Sequence, residues 1–197
     1  ALTPQKHILL ISGPNAGGKS VCLKTVGLLQ YMFQWGMLIP TSEVSEMMVF
    51  DRIMVDIGDD QSIDNDLSTY SSFLVNMKDM LAKADSKTLV LIDEFGSGTE
   101  PAAGGAIAEA ILSEFDKRGV YGIITTHYTN LKLYASADTG VINGAMMFDV
   151  KNIAPMFKLE MGLPGNSFAF ELARKMGLPE SIIKDAESRA GEEYVGI

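Results

Sequence analysis

Short apolar runs alternate with amphipathic stretches through the first two thirds of the chain. Three mostly apolar runs are bounded by glycine, acidic or polar residues: His7–Ser12, Thr88–Ile92 and Val120–Thr125. Such runs are typical of parallel strands whose two faces are both buried. Between them, apolar residues recur at helical spacing over 19–35, 69–83 and 101–116. The alternation predicts an α/β fold with a largely parallel sheet, to which Val49–Ile57 also contributes a strand.

The last third of the chain has a different pattern. Thr139–Met161 contains two strand-like segments separated by Lys151-Asn152, which predicts an antiparallel hairpin. Ser167–Arg189 contains two helical stretches broken by Gly177-Leu178-Pro179. We therefore predict a core over residues 1–165 and a C-terminal helical segment over residues 166–197.

Composition and charge restrict the class of protein. The 197 residues are 47% hydrophobic and 21% charged, which excludes disordered, collagen-like and coiled-coil proteins. The net charge of −9 argues against a chain that grips nucleic acid by itself, because such binding neutralises phosphates with Lys and Arg. The single cysteine, Cys22, is expected to be a small buried hydrophobe in a reduced, cytoplasmic compartment.

Neither a signal peptide nor a membrane span is predicted. The start, Ala1–Lys6, lacks a charged segment followed by an apolar one. The uncharged stretch Thr25–Ser42 is interrupted by glycine, glutamine and proline, which disfavours insertion into a bilayer. Because the chain lacks an initiator Met and enters a strand within six residues, we expect it to be a fragment of a longer protein.

The strongest chemical signal is a glycine-rich segment that fits G-x-x-x-x-G-K-[ST]: Gly13-Pro14-Asn15-Ala16-Gly17-Gly18-Lys19-Ser20. It lies between a predicted strand and a predicted helix, where backbone N–H groups and the helix dipole favour phosphate. Lys19 would reach the β- and γ-phosphates, and the Ser20 hydroxyl would bind Mg²⁺. The alternative, a glycine-rich turn without a ligand, is disfavoured by this context.

Two further candidates follow predicted strands. Asp93 could hold Mg²⁺ or its water, and Glu94 could orient and deprotonate an attacking water. If the strands are neighbours, His127 reaches the edge at which open α/β sheets bind ligands, and a neutral imidazole there could contact the γ-phosphate. Acids at strand ends and histidines in loops are also common without such roles. His7, which begins a strand, is expected to be structural.

The acidic loop before the second helix carries weaker signals. Gln61 could contact Mg²⁺ or water, although most polar loops are simply solvated. Ser68 has the character of a helix N-cap, and a helix N-terminus with free N–H groups is itself an anion site.

These segments resemble the ATPase domain of the MutS family, a branch of the ABC-type ATPases. GPNAGGKS resembles its Walker A loop, DLSTYSSFL its signature element, DEFGSGT its Walker B strand and D-loop, and TTHY its switch-histidine segment. They occur in the expected order, and the similarity extends from His7 to Ala190. LKTVGLL, IGDDQSI and GLPGNSFAFELARKMGLPESII are more similar to the type-two, recombination-suppressing branch than to mismatch-repair MutS. Tyr70 stands where Phe is more usual in the family.

The resemblance implies a P-loop NTPase fold of the ABC type, with ATP and Mg²⁺ as cofactors. Lys19, Glu94 and His127 would be catalytic, and Ser20 and Asp93 would hold the metal. The residues implied to bind the nucleotide are Gly13, Pro14, Asn15, Ala16, Gly17, Gly18, Lys19, Ser20, Val21, Gln61 in the Q-loop, and Ser68 from the other subunit.

The resemblance also implies a homodimer with two nucleotides between P-loop and signature faces. The D-loop, Gly96–Thr99, would cross between the subunits, and the helices of Ser167–Arg189 would pack at the interface. The family's clamp and lever domains, and the Smr nuclease-like domain of the type-two branch, lie outside this chain. Any nuclease activity and most contact with DNA or the ribosome would reside there.

The leading interpretation is a Mg-dependent ATPase module that drives clamp changes on DNA, in recombination or repair control, or on stalled ribosomes. Two alternatives stay open: a nucleotide-gated dimerisation module with negligible hydrolysis in isolation, and mismatch-repair MutS proper. An energy subunit of an ABC transporter is disfavoured because the chain lacks an LSGGQ element. A small-molecule kinase would need a substrate lid, for which we find no candidate segment.

Overall fold

A computed structural model of the chain describes residues 1–14, 17–58, 66–149, 151–152, 154–166 and 168–190. Within these residues, six strands form one sheet: β1 (Ile8–Ser12), β2 (Arg52–Asp56), β3 (Thr88–Ile92), β4 (Tyr121–Thr125), β5 (Val141–Asp149) and β6 (Ala154–Met161). Their order across the sheet is β2-β3-β4-β1-β5-β6. The first five strands are parallel and β6 is antiparallel to β5. The predicted α/β architecture and the predicted hairpin are therefore confirmed.

The helices connect these strands and extend beyond them: α1 (Lys19–Gln34), α2 (Asp66–Lys83), α3 (Pro101–Lys117), α4 (Thr129–Ser136), α5 (Ala169–Lys175) and α6 (Glu180–Ala190). Helix α4 was not predicted from the sequence. It has eight residues, of which Leu131 and Ala135 are buried one turn apart, so it offers too few turns for a periodic pattern. The predicted C-terminal pair corresponds to α5 and α6.

Two apolar cores lie on the two faces of the sheet. Because side chains alternate along a strand, β1 directs Ile8 and Leu10 into one core and Leu9 and Ile11 into the other. The first core is covered by α2, α3 and α4, and the second by α1, through Leu23. Burial on both faces explains why β1, β3 and β4 have almost continuously apolar sequences.

Two predicted boundaries are corrected. Helix α2 begins at Asp66, so Ser68 lies inside its first turn and is not the N-cap. Asn and Asp residues precede Ser68 and cap helices as well as Ser does, so residue type alone does not select the helix start. Strand β2 begins at Arg52 rather than near Val49. Residues 49–51 precede it, and the Asp51 amide donates to the Lys87 carbonyl at 2.9 Å.

The C-terminal helices have little contact with the cores. None of the described residues of α5 is buried, and α6 buries Ile183. Large apolar side chains on and next to these helices are exposed, including Leu172, Ile182 and the C-cap residue Met176. Across the described part of the chain, no helix has both the length and the apolar character that a membrane span requires.

Candidate functional site

Three loops meet at one edge of the sheet. Strands β3, β4 and β1 are neighbours and parallel, so the segments that follow them leave the sheet on the same side. Those segments carry the glycine-rich loop, the Asp93-Glu94 pair and His127. Ligands of open α/β sheets bind at this edge, which makes it the candidate functional site.

The glycine-rich loop turns from β1 into α1 through two glycines with positive φ angles. Gly13 has φ +135° and Gly18, the N-cap of α1, has φ +88°. Between them, the Gly17 amide donates to the Pro14 carbonyl at 2.9 Å. Because Gly18 has no side chain with which to cap the helix, the first turn of α1 is suited to an external anion.

Around this turn the predicted residues are distributed as follows: Gly17 is buried, Pro14 and Ser20 are half-buried, and Val21 has an exposed side chain. Asn15, Ala16 and Gln61 lie outside the described residues, as does the side chain of Ser68.

Lys19 is a buried cation at the start of α1. Its side chain is 3% exposed, and Nζ donates to the Gly13 carbonyl at 2.8 Å. Burial lowers the pKa of Lys19, and the nearby carboxylates of Glu94 and Asp93 oppose this shift. The structure therefore brings this ammonium group close to the two acids predicted to share its site.

The side chain of Thr125, at the end of β4, joins the two acids that follow β3. Its hydroxyl donates to Oδ1 of Asp93 and accepts the Glu94 amide N–H at 2.8 Å. The Thr125 carbonyl accepts the Phe95 amide at 2.9 Å. Glu94 adopts φ +50°, a conformation that L residues rarely take, and these bonds hold it there. Sequence reasoning did not select Thr125, although it precedes His127 by only two residues.

His127 faces Glu94 across the site. Nε2 of His127 lies 3.9 Å from Oε1 of Glu94, and both side chains are more than one-third exposed. Burial, Lys19 and Lys132 lower the pKa of His127, and Asp93 opposes them. The neutral imidazole is therefore favoured near pH 7.

The structure adds two residues that the motifs did not indicate. The ring of Phe157, on β6, lies against the glycine-rich loop: a Cβ placed on Gly18 would be 2.9 Å from Cδ1 of Phe157. Phe157 is 65% exposed and has φ +49°. Lys132, on α4, is half-buried and donates to the Gly165 carbonyl at 2.9 Å. Neither residue lies in a recognisable motif, and no local sequence signal identifies them.

The protein side chains at this edge suit a magnesium ion that is shared with a phosphate. Among the described residues, no group of three or more His, Cys, Asp or Glu side chains could hold a metal ion. Ser20 and Asp93 offer one hydroxyl and one carboxylate. Mg²⁺ is commonly held by one or two carboxylates together with substrate phosphates and water, so this donor set fits.

Comparison with known proteins identifies the family. Residues 9–192 match the family model described as MutS domain V. The chain belongs to the MutS family. The matched region includes all three loops at the sheet edge and, apart from Ile8, the buried residues of both cores.

Similar curated proteins indicate which branch of the MutS family this chain resembles. Three proteins, each named Endonuclease MutS2, are 47%, 48% and 49% identical to this chain, in Exiguobacterium sibiricum, Lachnospira eligens and Halothermothrix orenii, respectively. The similarity covers 94%, 95% and 91% of this chain. The chain spans about a quarter of their length, 24%, 24% and 23%. Their name agrees with the type-two branch that the sequence resemblance indicated.

Proposed function

We propose that this chain is the ATP-binding and ATP-hydrolysing module of a MutS2-like protein. One observation carries the proposal: a buried lysine in a glycine-rich loop, an acid pair and a histidine converge at the edge of one sheet. Lys19 is 3% exposed, Glu94 is half-buried and His127 is exposed. This gradient suits a site that is closed at the phosphates and open to water.

The triphosphate would be bound by the loop and by the first turn of α1. Successive backbone N–H groups would surround the phosphate oxygens, with Lys19 as the point charge on the β- and γ-phosphates. Val21, whose side chain is exposed, would contribute its backbone N–H. The full set proposed for the nucleotide is Gly13, Pro14, Asn15, Ala16, Gly17, Gly18, Lys19, Ser20, Val21, Gln61 and, in trans, Ser68.

Hydrolysis would depend on the position of Glu94. Its carboxylate would accept a proton from the attacking water, and the Thr125 hydrogen bond would fix its backbone at the required place. Ser20 and Asp93 would hold Mg²⁺, which neutralises phosphate charge when bound. His127, neutral near pH 7, would donate its imidazole N–H to an oxygen of the terminal phosphate opposite Glu94.

The complete site would require two copies of the chain. A γ-phosphate held by Lys19 of one subunit and Ser68 of its partner would make the dimer more stable with ATP than with ADP. The core, residues 1–165, would carry the P-loop, and residues 166–197 would supply a dimerisation segment. The exposed apolar side chains of α5 and α6 support this division.

The longer protein would use this module on nucleic acid, in recombination or repair control or on stalled ribosomes. The relatives are named endonucleases, and the chain spans about a quarter of their length, so nuclease chemistry would belong to another part of them. A net charge of −9 is compatible with nucleic-acid contacts that lie in those other parts.

The test combines ATP turnover and sedimentation for the wild type and for Glu94→Gln, with Glu43→Gln, an exposed loop variant, as the control. The proposal predicts turnover that rises faster than protein concentration, and an ATP-bound dimer trapped by Glu94→Gln but not by Glu43→Gln. ATP binding without dimerisation or turnover would instead indicate a nucleotide-binding half that does not hydrolyse ATP alone.

A further inference from the structure

The segment that leads into the C-terminal helices is seated on the start of the glycine-rich loop. The Gly165 amide donates to Oγ of the buried Ser12 at 2.7 Å. A Cβ built on Gly165 would overlap the Ser12 carbonyl and lie 2.7 Å from the Gly13 nitrogen. Only glycine fits this contact, because the obstructing atoms are backbone and cannot move aside.

Lys132, on α4, also binds the peptide of Gly165. Its Nζ donates to the Gly165 carbonyl at 2.9 Å, so the peptide of Gly165 is held by Ser12 on one side and by Lys132 on the other. The Lys132 backbone is fixed separately, since Asn143 Nδ2 donates to its carbonyl at 2.9 Å. The side chain of Lys132 could therefore change partner without moving the helix.

The ammonium group of Lys132 is not paired with an acid in the part of the chain that the structure describes. Among the described residues, no carboxylate lies within ion-pair distance of its ammonium group. Burial lowers the pKa of Lys132, and its positive charge in turn lowers the pKa of Lys19 and of His127. Both ammonium groups, of Lys19 and Lys132, donate to backbone carbonyls, Gly13 and Gly165. The Gly165 carbonyl that accepts from Lys132 is neutral, so it leaves the charge of Lys132 available to a polyanion.

We propose that Lys132 is a second cation for the terminal phosphate of the bound nucleotide, and that it exchanges the Gly165 carbonyl for a phosphate oxygen. The proposal deepens the nucleotide site inferred above and rests on it. Its consequence is a mechanical link: a triphosphate would loosen the Gly165 segment, which leads to α5 and α6, whereas a diphosphate would leave it seated.

The first test measures the affinity of ATP and of ADP by calorimetry with Mg²⁺, for wild type, Lys132→Met, Lys132→Arg and Lys117→Met. Lys132→Met keeps most of the side-chain length but removes the charge, and Lys117 is an exposed lysine on α3. We expect Lys132→Met to weaken ATP binding about tenfold and ADP binding less than about twofold, because one charge-assisted hydrogen bond is lost. Lys132→Arg and Lys117→Met should stay close to wild type.

The second test uses the unmodified protein and amide hydrogen exchange of Leu163, Gly165 and Asn166, since Pro164 has no amide hydrogen. ATP should raise exchange at the Gly165 amide and ADP should not. Equal exchange with both nucleotides, or equal loss of ATP and ADP affinity in Lys132→Met, would overturn the proposal and leave Lys132 as a structural anchor. If the wild type binds neither nucleotide, the proposed function itself fails, which calorimetry distinguishes from a failure of this inference alone.

Discussion

The hydroxyl of Thr125 donates a hydrogen bond to Oδ1 of Asp93, and the oxygen of this hydroxyl accepts the backbone N–H of Glu94 at 2.8 Å. One buried side chain on β4 thus orients the carboxylate proposed for the metal and the backbone of the residue proposed as the base. Glu94 holds φ +50°, so its position depends on such external support.

Thr125→Val should reduce ATP turnover about 10- to 100-fold, the range found when a hydrogen bond behind a reactive group is removed. ATP affinity should change much less, because Lys19 and the glycine-rich loop are untouched. Steady-state kinetics with calorimetric binding separate the two effects. Thr125→Ser, which keeps the hydroxyl, is the matched control, and a loss of turnover in Thr125→Ser as large as in Thr125→Val would contradict this role.

A side chain at Gly18 should destabilise the protein more than a side chain at Gly36. Alanine there would need a left-handed conformation, which costs about 1–2 kcal/mol, and would also contact the Phe157 ring at 2.9 Å. Gly36 has φ +73° and no atom within 4 Å of its Cβ position, so Gly36→Ala incurs the backbone strain alone. Urea unfolding should therefore show a larger loss of stability for Gly18→Ala than for Gly36→Ala.

Adding Phe157→Ala to Gly18→Ala should restore the stability that Gly18→Ala loses beyond the loss in Gly36→Ala. The removed ring leaves only the strain of the positive φ angle at Gly18. Equal destabilisation by Gly18→Ala and Gly36→Ala would show that the Phe157 contact does not constrain the loop.

The parts of the fold that the sequence predicted are those with dense local signals. Both bounds of strand β3 were predicted correctly, because its two faces are buried and its five successive side chains are apolar or β-branched. Helix α4 was missed because two buried positions in eight residues define no period. The start of α2 was predicted at Thr69, after a Ser68 cap, and lies at Asp66, because several capping residue types stand close together there.

The candidate site also contains residues that the sequence predicted and contacts that it did not. Lys19, Asp93, Glu94 and His127 stand in contiguous motifs, so their types and spacing suggested a common edge before any geometry was known. Contacts between distant residues carried no such signal: Ser12 and Gly165 are 153 positions apart, and Lys132 and Gly165 are 33 apart. These residues come together only in the folded chain. Neither pair belongs to a sequence motif that would have predicted the contact.

Tyr70→Phe should leave the protein as stable as wild type or more stable by up to about 1 kcal/mol. Among the described residues, the buried Tyr70 hydroxyl has no hydrogen-bond partner, and an unsatisfied buried polar group is costly. Its ring stacks on Phe73 with centroids 5.7 Å apart, a contact that Phe would keep. Phe is also the residue more usual at this position in the family that the sequence resembles.

The matched control for Tyr70 is Tyr134→Phe. The Tyr134 hydroxyl donates to Oδ2 of Asp116 at 2.9 Å, so its removal should cost about 1 kcal/mol or more. Urea unfolding of the two variants gives the comparison. A loss for Tyr70→Phe as large as for Tyr134→Phe would show that the Tyr70 hydroxyl is satisfied in solution.

The pH dependence of stability should carry a contribution from His127. Burial, followed by Lys19 and Lys132, lowers its pKa below the ordinary value of 6.5. The unfolded chain then binds more protons than the folded one between these two pKa values, so the free energy of unfolding rises with pH there. This contribution is unchanged above pH 6.5, and stability is lost as pH falls from 6.5 toward the folded pKa.

His127→Asn should reduce that acid-side loss, because the neutral amide does not titrate. The comparison uses urea unfolding of both proteins at several pH values between 5 and 8. His7 and all carboxylates are common to both, so the difference between the two pH profiles isolates His127. A difference profile that is flat below pH 6.5, or one in which the wild type gains stability relative to His127→Asn as pH falls, would mean that His127 does not lie in the electrostatic environment of Lys19 and Lys132.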